Sequence, residues 1–190
     1  MFLDFSPLSE NQIYKLISHT VTPRPIAWIS TEHKGIVNLA PFSYFIPLSS
    51  KPPMLIVSIG RKEDDSPKDT LANFLEGSKV TINFVSYALK DAMSQCATEL
   101  SREQSECDTF GIETQRMMEA YPPAVKGVQA ALFCTFVKTM PIEGSHTTPC
   151  LLHIDHAFYA DEIIDERLHV RLENVGRVGM KFLVNGEIIS

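Results

Sequence analysis

The sequence predicts a mainly β fold, an antiparallel barrel with helices packed against its outside. Three observations carry this expectation. Segments biased toward β-branched and aromatic residues arrive at short intervals. They seldom alternate with helical patterns, which argues against a doubly wound parallel sheet. And residues 26–31 and 36–39 flank Glu32-His33-Lys34-Gly35, a short polar loop ending in glycine, which reads as a hairpin.

Taken in order, residues 8–19 place Ile13, Leu16 and Ile17 at helical spacing, with Ser9 as N-cap. Residues 20–25 are extended, because two prolines bias their predecessors away from helix. Arg24 sits between those prolines. It reads either as a solvated linker arginine or as a fixed cation facing an anion. The hairpin follows, and its second strand runs into Asn38-Leu39-Ala40-Pro41-Phe42-Ser43-Tyr44-Phe45. Pro41 cannot sit in a central ladder, so this stretch is an edge or a bend. Residues 46–53, rich in proline and serine, read as a connection, and 54–60 as a buried strand. The charged loop 62–67 leads into a helix start, with Ser66 as cap, Pro67 in the first turn, and Leu71, Phe74 and Leu75 inward. A strand is expected at 79–85, a helix after Ser86, and a polar loop at 98–109. Further strands are expected at 129–140 and 150–159, with another at 168–172. Nothing divides the 190 residues into more than one domain.

A formal net charge of −6 argues against nucleic-acid binding, which needs a basic face. No apolar run approaches the ~18 residues of a membrane span. The N-terminus lacks a signal-peptide pattern, so a cytoplasmic location is expected. Cys96, Cys107, Cys134 and Cys150 are widely spaced and read as free thiols. In His153-Ile154-Asp155-His156, strand alternation puts His153 and Asp155 on one face and His156 on the other, so no metal site is expected. Signatures of Rossmann, P-loop, zincin and α/β-hydrolase sites are absent. The helix start at Lys68-Asp69-Thr70, with Arg61 upstream, suits a phosphate. Ordinary capping beside a solvated lysine is the other reading.

Four pieces in this order carry a resemblance: R-P-I-A-W-I-S-T from Arg24, G-I-V-N-L-A-P-F-S-Y-F from Gly35, S-I-G-R from Ser58, and P-K-D-T-L-A-N from Pro67. Over roughly residues 20–180 the chain resembles the flavin reductase-like, FMN-binding split-barrel family, which includes flavoredoxin and the flavin-reducing components of two-component monooxygenases. The resemblance implies a split, Greek-key-like antiparallel barrel that binds FMN. Arg24, Pro25, Ile26 and Ala27 match the first flavin-lining strand, with Ala27 expected near the ring and Trp28 packed. Asn38, Ala40, Pro41, Phe42 and Ser43 match the segment along the flavin. Ser58, Gly60 and Arg61 match the second lining strand, and Lys68, Asp69 and Thr70 complete the phosphate site.

Glu143-Gly144-Ser145-His146 is similar to a family turn that holds a histidine near the nicotinamide; a surface hairpin is the alternative. Asn174-Val175-Gly176-Arg177-Val178-Gly179 is similar to a late segment that brings Arg177 close to the cofactor. Two departures bear on nicotinamide handling: Met180-Lys181-Phe182 where many relatives carry a tyrosine, and Leu152-His153-Ile154-Asp155-His156 where relatives often read Gly-Glu-Val. The activity implied is NAD(P)H-dependent reduction of FMN, with an oxygenase or electron-transfer partner. An FMN electron carrier that makes no direct use of nicotinamide, and a flavin-free scaffold on the same barrel, are the alternatives. The resemblance also implies a homodimer. Phe42, Tyr44 and Phe45 are compatible with it, as an aromatic cluster one small barrel need not bury alone.

Overall fold

This computed structural model describes residues 2–75 and 77–184. Helix α1 (Glu10–Thr20) opens on the expected cap: Ser9 and Gln12 form a reciprocal capping box. Strands β1 (Arg24–Pro25), β2 (Ala27–His33) and β3 (Ile36–Phe42) follow, with Lys34 and Gly35 in the left-handed region at the hairpin turn. Then come β4 (Phe45–Ser50), β5 (Pro53–Gly60), α2 (Asp69–Ala72) and β6 (Lys79–Asn83). Helices α3 (Lys90–Gln95) and α4 (Glu106–Phe110) precede the short strands β7 (Thr114–Gln115) and β8 (Ala124–Val125). The long strands β9 (Ala130–Thr139) and β10 (Thr147–Tyr159) come next, and the hairpin β11 (Gly176–Val178) and β12 (Lys181–Leu183) ends the described chain.

Seven strands form one antiparallel sheet in the order β3-β2-β6-β9-β10-β5-β4. The sheet curls around a core that includes Ile29, Phe42, Val57, Ile82, Cys134 and Leu152. It does not close: β3 and β4 are its two ends, so the barrel is split. The alternate residues of the same strands build a second core outside, where Trp28, Leu39 and Phe133 meet Met93 of α3 and Cys107 of α4. Both faces of β2, β6 and β9 are therefore buried over most of their length, which explains the nearly unbroken apolar run of β9. Ser30, Thr31, Thr81 and Asn83 are buried polar residues on these strands. Ser30 and Thr31 accept from Asn83 and Asn38. Thr81 donates to the Pro122 carbonyl, and Asn83 bonds Trp28 O, Ser30 Oγ and Val125 N, so none of the four is left unpaired.

Several expectations are corrected. Residues 46–50 are strand, not connection: β4 pairs with β5, and Pro47 is tolerated because β4 is an edge. The helix expected from Ser66 is a single turn, α2. Ser66 is engaged by the loop before it, Pro67 bridges Arg61, and Lys68 becomes the N-cap. The polar loop 98–109 contains α4, which ends at Gly111 in the left-handed region. Residues 168–172 form no strand, only an isolated bridge between Ile164 and Val170. Of the aromatic cluster, Phe42 and Phe45 lie in the barrel core, and Tyr44 stacks on Tyr14. No helix among the described residues is long and apolar enough to cross a membrane. His153 Nδ1 meets Asp155 Oδ1 at 2.9 Å, so those two do share a face. Thr135, Tyr121 and Lys79 also donate to Asp155. Burial alone would raise the Asp155 pKa, but these bonds outweigh it and hold the carboxyl well below the usual range.

The free edge of β3 is finished by α4. Ser105 Oγ donates to Val37 O at 2.7 Å, and Leu39 N donates to Glu106 Oε2 at 2.9 Å. Glu106 is only 5% exposed. Burial raises its pKa, partly offset by the Leu39 bond. The folded state therefore holds the proton more tightly than the unfolded chain. Stability linked to this group is full below the unfolded pKa and is lost as pH rises through the raised folded value. Glu106→Gln keeps an acceptor without the charge. Its thermal unfolding temperature should exceed that of the native chain at about pH 8, with the gap closing toward about pH 4. Glu106→Ala should be less stable than Glu106→Gln by about 1–3 kcal/mol, because the buried Leu39 N–H loses its acceptor. A gap between Gln and native that does not change with pH would show that Glu106 does not titrate with folding.

Candidate functional site

Where β3 runs out at the split, two chambers meet. Pro41, Phe42 and Ala97 line both. The first, about 290 Å³, is walled by Ile26 before β2, Ser43 after β3, Met93 and Ser94 of α3, and Arg177, Met180 and Phe182 of the β11–β12 hairpin. Apart from Ser43, Ser94 and Arg177 its walls are apolar. The second, about 130 Å³, is polar. Asn38 and Ala40 of β3 face Gly60 and Lys62 at the end of β5, Lys68, Asp69 and Thr70 at α2, residues 96–100 after α3, and Glu106.

The polar chamber is rigidly supported. Asn38 Nδ2 donates to Thr70 Oγ1 at 2.8 Å and to Thr31 Oγ1 at 3.3 Å, tying β3 to α2. Asn73 donates to the same Thr31 oxygen and accepts from Arg102. Its charges are largely paired: Lys62 with Asp69 at 2.9 Å, Arg102 with Asp69 at 3.5 Å, and Lys68 with Glu99 at 3.3 Å. Cys96 reaches this chamber, but burial pushes its thiol up to about 12, so it stays protonated near neutral pH. Burial likewise pushes Cys107 to about 11 and Cys150 to about 12. Cys134 is raised too, and none of the four is in a disulfide.

Of the residues singled out from the sequence, Ile26, Pro41, Phe42, Ser43 and Arg177 line the apolar chamber. Asn38, Ala40, Gly60, Lys68, Asp69 and Thr70, with Pro41 and Phe42 again, line the polar one. Six lie elsewhere. Arg24 is buried, and its guanidinium is spent on the Ser18 and Gly179 carbonyls. Pro25 pairs with Gly176. Ala27 points into the barrel core with no exposure, so Ile26, not Ala27, borders the chamber. Trp28 is packed as expected. Ser58 lies on β5, its N–H donating to Tyr44 O. Arg61 turns back onto Asp65, and its neighbour Lys62 takes the position at the chamber. His146 is exposed in the turn between β9 and β10 and lines neither chamber.

Sequence reasoning missed Met93, Ser94, Met180, Phe182, residues 96–100 and Glu106. Met93 is also a member of the outer core. Residues 97–100 carry no pattern of their own; only their position after α3 brings them to the site. Together the chambers offer a flat apolar wall joined to a polar cradle. That shape suits a ligand with a planar ring and a polar, charged tail.

Comparison with known proteins identifies the family of this chain and its fold. The family model described as "Flavin reductase like domain" matches residues 18–169. An uncharacterized protein of Aquifex aeolicus (strain VF5) is 33% identical over 181 residues, covering 90% of this chain and 89% of its own. Among solved structures, nitrilotriacetate monooxygenase component B from Bacillus cereus superposes with a TM-score of 0.92 at 22% identity, over 100% of this chain and 98% of its own. The 2-nitrobenzoate 2-nitroreductase NbaA of Pseudomonas fluorescens does so with a TM-score of 0.88 at 24% identity, over 100% and 94%. With four-fifths of its length matched by the family model, the chain belongs to the flavin reductase-like domain family.

Proposed function

We propose that this chain binds FMN across the two chambers and reduces it with NAD(P)H. The joined apolar and polar chambers at the split carry this reading. The residues present fit the group. Ile26, Phe42, Met93 and Phe182 supply the flat apolar wall that a flavin ring needs. Gly60 has no side chain to obstruct the polar chamber, and space beside it is open. Lys62 and Lys68 are the cations within reach of a phosphate. Lys68 is held by an ion pair that is about a third exposed on both sides, and such pairs contribute little, so a phosphate can displace Glu99. When bound, the flavin supplies the hydride-accepting chemistry, and the protein supplies position and electrostatics. This chain's own residues would orient the ring along the β3 edge and keep one ring face open to a second substrate.

The reading includes a cytoplasmic, single-domain protein that hands electrons to an oxygenase, as the name of the monooxygenase component suggests. It also includes a homodimer. Support comes from Ile46 and Leu48, which stand about half exposed on the edge strand β4.

Three measurements test this. The purified protein should bind FMN with a visible flavin spectrum, and anaerobic NADH or NADPH should bleach it. A flavin spectrum that nicotinamide cannot bleach would leave an FMN electron carrier, and no FMN binding at all would leave a scaffold. Lys68→Ala should weaken FMN binding about tenfold in a fluorescence titration, the loss of one charge-assisted contact. An unchanged affinity would remove Lys68 from the site. Sedimentation at micromolar concentration should give a dimer, and Ile46→Asp should shift it toward monomer. A monomeric native chain would end the dimer reading.

A further inference from the structure

The two chambers treat charge differently. In the polar one, Lys62 and Arg102 are paired with Asp69, and Lys68 with Glu99. In the apolar one, Arg177 is half-buried and meets no carboxylate among the described residues. No acidic side chain lines that chamber. The Arg177 guanidinium lies 4.7 Å from the centre of the Phe182 ring, a contact that holds a cation on the wall without neutralising it. Directly across the β1–β11 pair stands Arg24, so the two side chains share a face. Arg24 is 5% exposed; its two terminal nitrogens donate to carbonyls, and its Nε has no partner. The Tyr44 ring is 5.8 Å from it, but burial raises the pKa of that hydroxyl, so no phenolate balances the charge near neutral pH. Lys90 approaches Phe182 at 5.6 Å but is paired with Asp91. Burial disfavours the charged form of Arg177, and so does Arg24. Two adjacent, partly desolvated cations without a counter-ion are unfavourable, and negative charge arising beside them would offset that cost.

The flavin reading says when such charge arises. The FMN phosphate carries the same charge before and after reduction, so its contacts in the polar chamber do not distinguish the two states. The ring differs between them. In hydride transfer a C–H bond of the nicotinamide breaks, its hydrogen and electron pair pass to the neutral oxidised ring, and the nicotinamide leaves with a positive charge. One negative charge is then left on the ring unless a second proton follows. Ile26, Phe42, Met93 and Phe182, the wall assigned to the ring, line the same chamber as Arg177.

We propose that Arg177, with Arg24 behind it, makes this site selective for reduced over oxidised FMN by holding the negative charge that hydride addition leaves on the ring. The proposal rests on the flavin reading and adds to it the residue that sets the potential of the bound cofactor. Arg24 is a positioning residue: its carbonyl bonds hold the β11–β12 hairpin in place, and its charge reinforces that of Arg177.

The test is the midpoint potential of FMN bound to the full chain, measured by anaerobic titration against a reference dye, beside free FMN in the same buffer. The affinity for oxidised FMN is measured separately by fluorescence. Reduced FMN should bind at least about tenfold more tightly than oxidised FMN, which raises the bound potential at least about 30 mV above that of free FMN. Arg177→Gln should remove the elevation while keeping most of the affinity for oxidised FMN. Arg177→Lys, which retains the charge, should retain most of the elevation. A native potential at or below that of free FMN would overturn the proposal, and that measurement needs no variant. An elevation that survives Arg177→Gln would also overturn it; an arginine that only props the hairpin, or that binds the phosphate, weakens both forms alike and gives that result. So would a Lys variant whose potential falls as far as that of the Gln variant. FMN bound at an unraised potential would sink this inference alone, whereas absent FMN binding would sink the flavin reading as well.

Discussion

The structure depends on how the free edge of β3 is finished. In an antiparallel strand, alternate residues point their backbone groups away from the neighbour. On β3 the outward positions are Val37, Leu39 and Pro41. Ser105 takes the Val37 carbonyl, Glu106 takes the Leu39 amide, and Pro41 has no N–H to offer. Three successive positions are thus closed to another strand, and β3 cannot pair with β4 to complete the barrel. The split exists because that edge is blunted, and the two chambers exist because of the split. Glu106 is the demanding member: a carboxyl buried to 5% exposure, with the Leu39 bond offsetting part of the cost.

The double-sided burial of the sheet then locates the walls. Because Ala27 and Ile29 go inward, Ile26 and Trp28 must go outward, and the outer core draws α3 and α4 against that face. Met93 anchors α3 there, which brings Ala97 to the junction of the chambers. A single residue of slip in β2 would exchange the two cores and put Ala27 at the chamber. The register of β2 with β3, Ala27 against Phe42 and Trp28 against Pro41, is what prevents it.

Much of this was legible in the sequence for identifiable reasons. The N-cap at Ser9 and the short polar loop ending in Gly35 are local signals, and local signals survive folding. Pro41 announced an edge because its missing donor has one acceptable location. The misreadings concern residues whose roles are decided by distant chain. Arg61 and Lys62 are adjacent cations, and only the Asp65 turn decides which of them faces the chamber. α4 was hidden because Glu106 and the preceding Ser105 face β3 instead of water. His146 carried the right chemistry, but its hairpin tip is exposed.

Arg24 shows most clearly how a motif can be legible while its function is not. Both readings from the sequence gave it a charge to display. The structure instead uses its donors to clasp the end of α1 to the β11–β12 hairpin, through Ser18 O and Gly179 O. The Gly-Arg-Val-Gly spacing follows from that clasp. A Cβ at Gly176 would meet Pro23 at 2.8 Å, and one at Gly179 would run into the His19 ring, at a residue with φ of +54°. Both glycines let the hairpin lie flat on residues 19–24, which sets Arg177 on the chamber wall opposite Arg24. The cation that the sequence placed at the ligand acts one step back, holding in place the cation that lines the site.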